Sequence, residues 1–184
     1  MNYAEIKECD IANGPGVRLT LFVSGCTHHC PECFNPETWD FNYGEPFTEE
    51  VQDKMIEILK EESYQGLTLL GGEPMEMANQ KALLPFLERV KRECPGKDVW
   101  CFTGYLYDQD ILEHFAKIMP ETMKMLALID VLVDGEFKIA LKDITLLYKG
   151  SSNQRTIDMK KSLKENKIVL WNPGSVSMSP NAKI

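Results

Sequence analysis

Short apolar segments alternate with amphipathic ones along most of this chain, and that alternation limits the folds open to it. Residues 17–24 (VRLTLFVS) read as a strand rich in β-branched and apolar side chains. Thr48 can cap a helix that opens with Glu49 and Glu50, and Val51, Met55, Ile58 and Leu59 follow at helical spacing. A second short apolar strand is expected over 66–70. A second helix is expected over 82–92, with Leu83, Leu84, Leu87 and Val90 on one side. The spacing then predicts a strand over 98–103, a helix over 109–119 closed or interrupted by Pro120, and a strand over 129–133. Such a sequence predicts an α/β fold with a mostly parallel sheet. So few strands favour an open, partial β/α barrel over a closed eight-stranded one. In folds of this kind the chemistry collects beyond the C-terminal ends of the strands.

The unusual motifs all fall at such ends. Cys26, Cys30 and Cys33 follow the first strand, Gly71-Gly72-Glu73-Pro74 the second, Thr103-Gly104 the third and Asp134-Gly135 the fourth. Their place favours contact with a cofactor, although each glycine pair would also serve as a plain turn.

Composition narrows the class. At 184 residues the chain fits one domain, expected over 1–155, with a tail over 156–184 to which no structure is assigned. Hydrophobic residues make up 43%, enough to bury a core, yet no run approaches a membrane span. Residues 1–10 do not pair a basic stretch with an apolar one, so a cytoplasmic protein with no membrane partner is expected. The net charge of −8, with no long basic run outside 160–167, makes nucleic acid an unexpected partner. In that compartment the six cysteines are not expected to form disulfides.

Three of the six stand as Cys-x3-Cys-x2-Cys on a long loop over 25–47, broken by Pro31, Pro36, Gly44 and Pro46. Thiolates are soft ligands for iron–sulfur clusters and for zinc. Three of them leave one metal position open. On spacing alone a structural zinc site completed by His28 or His29 stands as an alternative, although the two histidines read more simply as a solvent-exposed pair. Cys9, Cys94 and Cys101 have no ligand spacing, and Cys94 and Cys101 read as small buried hydrophobes.

The cysteine spacing resembles that of the radical S-adenosylmethionine (SAM) superfamily. Asn13-Gly14-Pro15-Gly16-Val17-Arg18 and Leu21-Phe22-Val23-Ser24-Gly25-Cys26 resemble its glycyl-radical activating branch. The stretch from Asp10 to Gly16 and Lys149-Gly150-Ser151-Ser152-Asn153-Gln154-Arg155 look like the activators of anaerobic ribonucleotide reductases. The resemblance spans about residues 8–156. It implies a partial barrel of the radical SAM type and one [4Fe–4S] cluster held by Cys26, Cys30 and Cys33. It implies SAM as the second cofactor. Glu32, Cys33 and Phe34 would then lie at the adenine, Gly71, Gly72 and Glu73 at the amino group, with Thr103 and Asp134 as further contacts. Lys138 is a doubtful substitute for a basic contact that Glu136 replaces.

The implied reaction is reductive cleavage of SAM to a 5′-deoxyadenosyl radical, which makes a glycyl radical on the reductase. The electron would come from a flavodoxin-type or other low-potential reductant. Residues 151–155 are expected near the mouth of the pocket rather than in the core. Two other readings stay open: an activator of another glycyl-radical enzyme such as formate acetyltransferase, and a non-catalytic zinc-binding module.

Overall fold

A computed structural model describes residues 1–175 and shows a mixed α/β fold built on one seven-stranded sheet. The strands are β1 (Asn2–Asp10), β2 (Val17–Val23), β3 (Glu45–Pro46), β4 (Tyr64–Gly71), β5 (Asp98–Phe102), β6 (Val131–Asp134) and β7 (Arg155–Asp158). Their order is β3-β1-β2-β4-β5-β6-β7, so the sheet has two edges and does not close. The central run β2-β4-β5-β6 is parallel. β1 and β3 on one edge, and β7 on the other, pair antiparallel.

The central strands match the four expected from alternation. The edge strands were not legible in the same way. β1 carries a largely polar, half-exposed sequence with no period-two contrast, and β7 lies where a tail was expected. Residues 155–165 in fact form β7 and the helix α5 (Met159–Glu165), capped by the Asp158 side chain. The rest of that tail, from 176 on, lies outside the described residues.

Helix α1 (Glu49–Lys60) starts at its Thr48 cap as expected. α2 (Met77–Glu93) begins five residues before the expected 82. Of the helix expected over 109–119, the first part is a π-helical stretch, Tyr107–Phe115, running into a short α3 (Ala116–Ile118). The stretch ends at Ile118 with Met119 extended before Pro120, as expected, and Pro120 also opens α4 (Pro120–Leu128), where its missing N–H costs nothing.

Period-two alternation explains how the sheet divides its faces. Leu19, Leu21 and Val23 of β2, Leu67 and Leu69 of β4, Val99 and Cys101 of β5 and Leu132 of β6 join one apolar core with Met55, Leu83, Leu87 and Met125 of the helices. The intervening residues take the other face. There Trp100, Val131 and Val133 pack with Phe102, Tyr148 and Trp171, and Arg18, Thr20 and Thr68 are buried polar residues. Arg18 is fully enclosed. It donates to Thr68 Oγ1 at 2.6 Å, the Leu67 carbonyl at 2.8 Å and Asp98 Oδ1 at 2.5 Å, and its guanidinium lies 5.5 Å from the Trp100 ring centre. A charge so buried is tolerable only because every edge of it is bonded.

The N-terminal ends of the parallel strands carry a second ionic clamp. Asp130 accepts from Lys91 Nζ of α2 at 2.5 Å and from the Val99 N–H of β5 at 2.7 Å, and it pairs with Lys160 Nζ of α5 at 2.5 Å. Burial alone would raise this carboxyl, but the Lys160 and Lys91 ammoniums and the Val99 N–H outweigh it and hold it below its ordinary value of 3.8. A depressed carboxyl stabilises the fold above its unfolded pKa, and that contribution disappears as pH falls through the folded pKa. Asp130→Ala is therefore expected to lower stability by about 3 kcal/mol near neutral pH. The difference from the parent should shrink as pH falls below the ordinary value of 3.8 and through the lower folded pKa. Urea melts across that pH range check this; a pH-independent difference would show that Asp130 acts through packing alone.

Candidate cluster and cofactor site

Where β2 ends, Gly25 turns the chain at a φ of 98° that side chains rarely adopt. A Cβ on Gly25 would stand 2.3 Å from the Phe41 ring. The Gly25 and Cys26 N–H groups donate to the Thr38 and Trp39 carbonyls, which folds the long loop back over its own start. β4 ends beside it. The Gly72 N–H donates to the Val23 carbonyl at 2.7 Å and the Glu73 N–H to the Gly25 carbonyl at 2.9 Å. A Cβ on Gly72 would meet the Gly25 and Thr38 carbonyl oxygens at 2.7 and 2.8 Å. The glycine pair thus lets two strand ends come into backbone contact. Asn79 of α2, almost wholly buried, ties the contact down by donating to the Ser24 and Glu73 carbonyls at 3.0 and 2.9 Å.

These strand ends surround a cavity of about 390 Å³. Cys26, Cys30, Cys33, Phe34, Gly71, Gly72, Glu73 and Thr103 all line it, so most residues singled out from the sequence meet in one place. All three cysteines are free thiols. They are spread over the cavity wall: among the described residues no three His, Cys, Asp or Glu side chains are grouped as for a single metal ion. Burial pushes the Cys26 thiol up to about 11, against backbone contacts at His28 and His29 that pull it down, and the Glu73 charge adds to the rise. Burial and the Glu136 charge raise Cys30 as well. A neighbouring positive charge would favour the thiolate form of both. Three thiols on one wall of a cavity this size suit the donor chemistry of an iron–sulfur cluster.

Two expected contacts fall elsewhere. Glu32 does not line the cavity; it is exposed, at a left-handed φ of 55°. Asp134 is fully buried and also off the cavity wall. Both its oxygens face Arg155, and it accepts the Tyr107 N–H at 2.8 Å. In this structure the acid is occupied as a partner of β7. Lys138 is exposed and off the cavity as well. Glu73 lines the cavity with its carboxylate occupied, accepting the Met75 and Gly104 N–H groups at 2.8 and 2.7 Å. Thr103 Oγ1 accepts the Tyr105 N–H at 3.1 Å.

His28 is not the solvent-exposed residue expected from the sequence. Its ring lines the cavity with 12% of the side chain exposed, whereas His29 is exposed and stacks on Trp39 at 4.7 Å. Burial would lower the His28 imidazole, and the Glu73 and Glu136 carboxylates beside it outweigh that and raise it.

Of residues 149–155, Lys149, Gly150 and Gln154 reach the cavity. Gln154 Oε1 accepts the Gly150 and Ser151 N–H groups, and Gln154 Nε2 donates to the Gly135 carbonyl at 2.9 Å. Ser151 is fully buried, contrary to the expectation for that segment, because its Oγ accepts the Lys138 N–H at 3.2 Å. Sequence reasoning gave no site role to Ala12, Asn13, Phe137, Leu146 and Tyr148, which also line the cavity. One signal was available: Asp10, three residues before Asn13, accepts from Asn13 Nδ2, the Ala12 N–H and Thr20 Oγ1, an arrangement that short polar side chains favour at turns.

Comparison with known proteins agrees with this donor set. The 4Fe-4S single cluster domain family matches residues 12–157. An anaerobic ribonucleoside-triphosphate reductase-activating protein of Escherichia coli K12 is 45% identical over 156 residues, covering 84% of this chain and 96% of that protein. The protein of the same name from Haemophilus influenzae is 44% identical, with the same coverage. That of Enterobacteria phage T4 is 38% identical over 84% of this chain and 92% of its own. No solved structure matches. The chain belongs to the 4Fe-4S single cluster domain family and, within it, to the anaerobic ribonucleoside-triphosphate reductase-activating proteins.

Proposed function

We propose that this chain is a radical SAM activating enzyme that installs a glycyl radical on an anaerobic ribonucleotide reductase. The observation that carries the reading is the meeting of Cys26, Cys30 and Cys33 with the Gly71-Gly72-Glu73 turn on the wall of one cavity. The names of its relatives supply the reductase as protein substrate. Under this reading the open sheet is a partial barrel of the radical SAM type.

In this proposal the three thiolates hold one [4Fe–4S] cluster and leave its fourth iron open to SAM. When bound and reduced by a flavodoxin-type or other low-potential donor, the cluster supplies the electron that splits SAM into methionine and a 5′-deoxyadenosyl radical, which takes a hydrogen atom from a glycine of the reductase. The protein's part is placement and exclusion of water. An ammonium group needs carbonyl oxygens, and the Gly72 and Glu73 N–H groups are already committed to Val23 and Gly25. The Glu73 carbonyl already accepts Asn79 Nδ2 and the Glu76 N–H, so the Gly72 carbonyl is the group of that turn assigned to receive the SAM amino group. Phe34 packs on Phe137 at 5.1 Å, which gives an aromatic wall suited to the adenine. Asp134 is left out of this assignment, because Arg155 holds it.

Anaerobic reconstitution is expected to load one cluster per chain, and the loaded protein with SAM and reductant should raise a glycyl radical signal on the reductase. Cys26→Ala, Cys30→Ala and Cys33→Ala should each abolish SAM cleavage, because no other thiol lines the cavity. Cys9→Ala, Cys94→Ala and Cys101→Ala should keep the cluster. Iron and sulfide content, electron paramagnetic resonance and product analysis read these outcomes; full cleavage by any of the first three variants would sink the ligand assignment.

Gly72→Ala tests the turn. Its added Cβ would press on two main-chain oxygens that cannot move independently. SAM affinity is expected to fall by about tenfold or more, measured by calorimetry on the reconstituted protein. Parent-like affinity would return the turn to a merely structural role.

A further inference from the structure

His28 sits midway between Cys26 and Cys30, and its surroundings come from three different strand ends. Nδ1 lies 3.0 Å from Glu136 Oε1, beyond β6. Nε2 lies 3.3 Å from Glu73 Oε2, beyond β4, buried against that carboxylate but off the hydrogen-bond direction. The ring centre is 4.2 Å from that of Tyr105, beyond β5. Gly104 forms the seat: a Cβ there would stand 2.7 Å from two atoms of the imidazole. The Gly104 N–H is itself held by Glu73 Oε2 at 2.7 Å. Thr27 next to it is pinned as well, its N–H and hydroxyl both donating to Glu76 Oε1, at 3.0 and 2.5 Å.

We infer that His28 is a positioning residue: beyond the Glu73–Gly25 backbone bond that fixes the start of the cysteine loop, its imidazole, seated on Gly104 between Glu73 and Glu136, holds the stretch between Cys26 and Cys30 against the strand ends, and hence the cluster against SAM. The inference rests on the function proposed above and deepens it. The physical argument is one of stiffness. Loops are mobile unless bonded elsewhere, and a two-centre ligand site loses affinity when either centre can drift. The thiols alone fix the loop to the cluster. They do not fix the cluster to the sheet. His28 is the side chain between two of those thiols that touches all three neighbouring strand ends. Glu136 is half-exposed and is itself steadied from beyond β6, where Asn153 Nδ2 donates to its carbonyl at 2.9 Å.

The test is a double-mutant cycle on the reconstituted holoprotein, read by iron content, SAM affinity and the change that SAM makes in the electron paramagnetic resonance spectrum of the reduced cluster. His28→Ala is expected to load iron like the parent, bind SAM at least about tenfold more weakly, and show a blunted spectral response. Gly104→Ala displaces the ring without removing any ligand and should weaken SAM to a similar degree. In the His28→Ala background, Gly104→Ala should cost nothing further. Glu136→Gln, which keeps an acceptor for Nδ1–H, should stay near the parent, whereas Glu136→Ala should not.

Parent-like SAM affinity in His28→Ala, or additive losses in the double variant, would overturn the inference. If His28→Ala fails to fold or to hold iron, Gly104→Ala decides alone: parent-like affinity there overturns the role, and tenfold weakening with full iron supports it. A parent protein that loads no cluster or binds no SAM would instead overturn the proposed function itself, and this inference with it.

Discussion

Everything at the cavity depends on how closely the ends of β2 and β4 approach. Two backbone bonds, from Gly72 to Val23 and from Glu73 to Gly25, join the cysteine loop to the turn after β4. No side chain fits between them: a Cβ on Gly71 would stand 2.7 Å from the Val23 nitrogen, and one on Gly72 would meet carbonyl oxygens. The parallel register of β2 with β4, paired from Val17 against Tyr64 to Val23 against Gly71, delivers the two ends at the same height. From that single contact follow the position of the first thiol, the inward turn of Glu73 and the seat it makes at Gly104.

The rest of the sheet divides labour by depth. At the N-terminal ends of the strands, charges are paired for cohesion: Arg18 with Asp98, and Asp130 with Lys91 and Lys160. At the C-terminal ends, backbone turns and thiols face a cavity. In between, one face is uniformly aliphatic against the helices, and the other mixes aromatic rings with the enclosed guanidinium. Among the described residues the helices join the core of the first face, and Tyr148 and Trp171 pack on the second.

The parallel centre was legible in the sequence because each central strand is a short apolar run followed by a glycine-bearing turn. β1 was not, since its side chains are mostly half-exposed and polar. β7 is four residues long and gains its identity from pairing with β6 rather than from its own pattern. The cysteine loop was legible because thiol spacing is a chemical signal that survives without periodicity. Asp134 misled for a related reason. An acid beside a glycine at a strand end looks like a ligand contact, and only the long-range approach of Arg155 turns it inward. His28 misled in the opposite sense: adjacent histidines in a polar loop read as solvated, whereas Gly104, seventy-six positions away, makes room for one of them. Contacts of that separation are set by topology and leave no local trace.

Arg155 joins Asp134 of β6 and Asp108 of the π-helical stretch, and Gln154 beside it holds the Gly150 turn to Gly135. One pair of neighbouring residues therefore ties β7 to β6 and shapes part of the cavity wall. Edge strands are where sheets ordinarily fray, and fraying is usually harmless to what lies deeper. Here it is not separable. A fluctuation that peeled β7 from β6 would free Asp134 beneath it and release the Gly150 turn together. The outer side of β7 is accordingly covered, the Asp158 N–H bonding to the Val169 carbonyl at 2.9 Å and the Trp171 N–H to the Thr156 carbonyl at 2.8 Å, so the segment over 169–171 braces the strand on which that stretch of cavity lining rests.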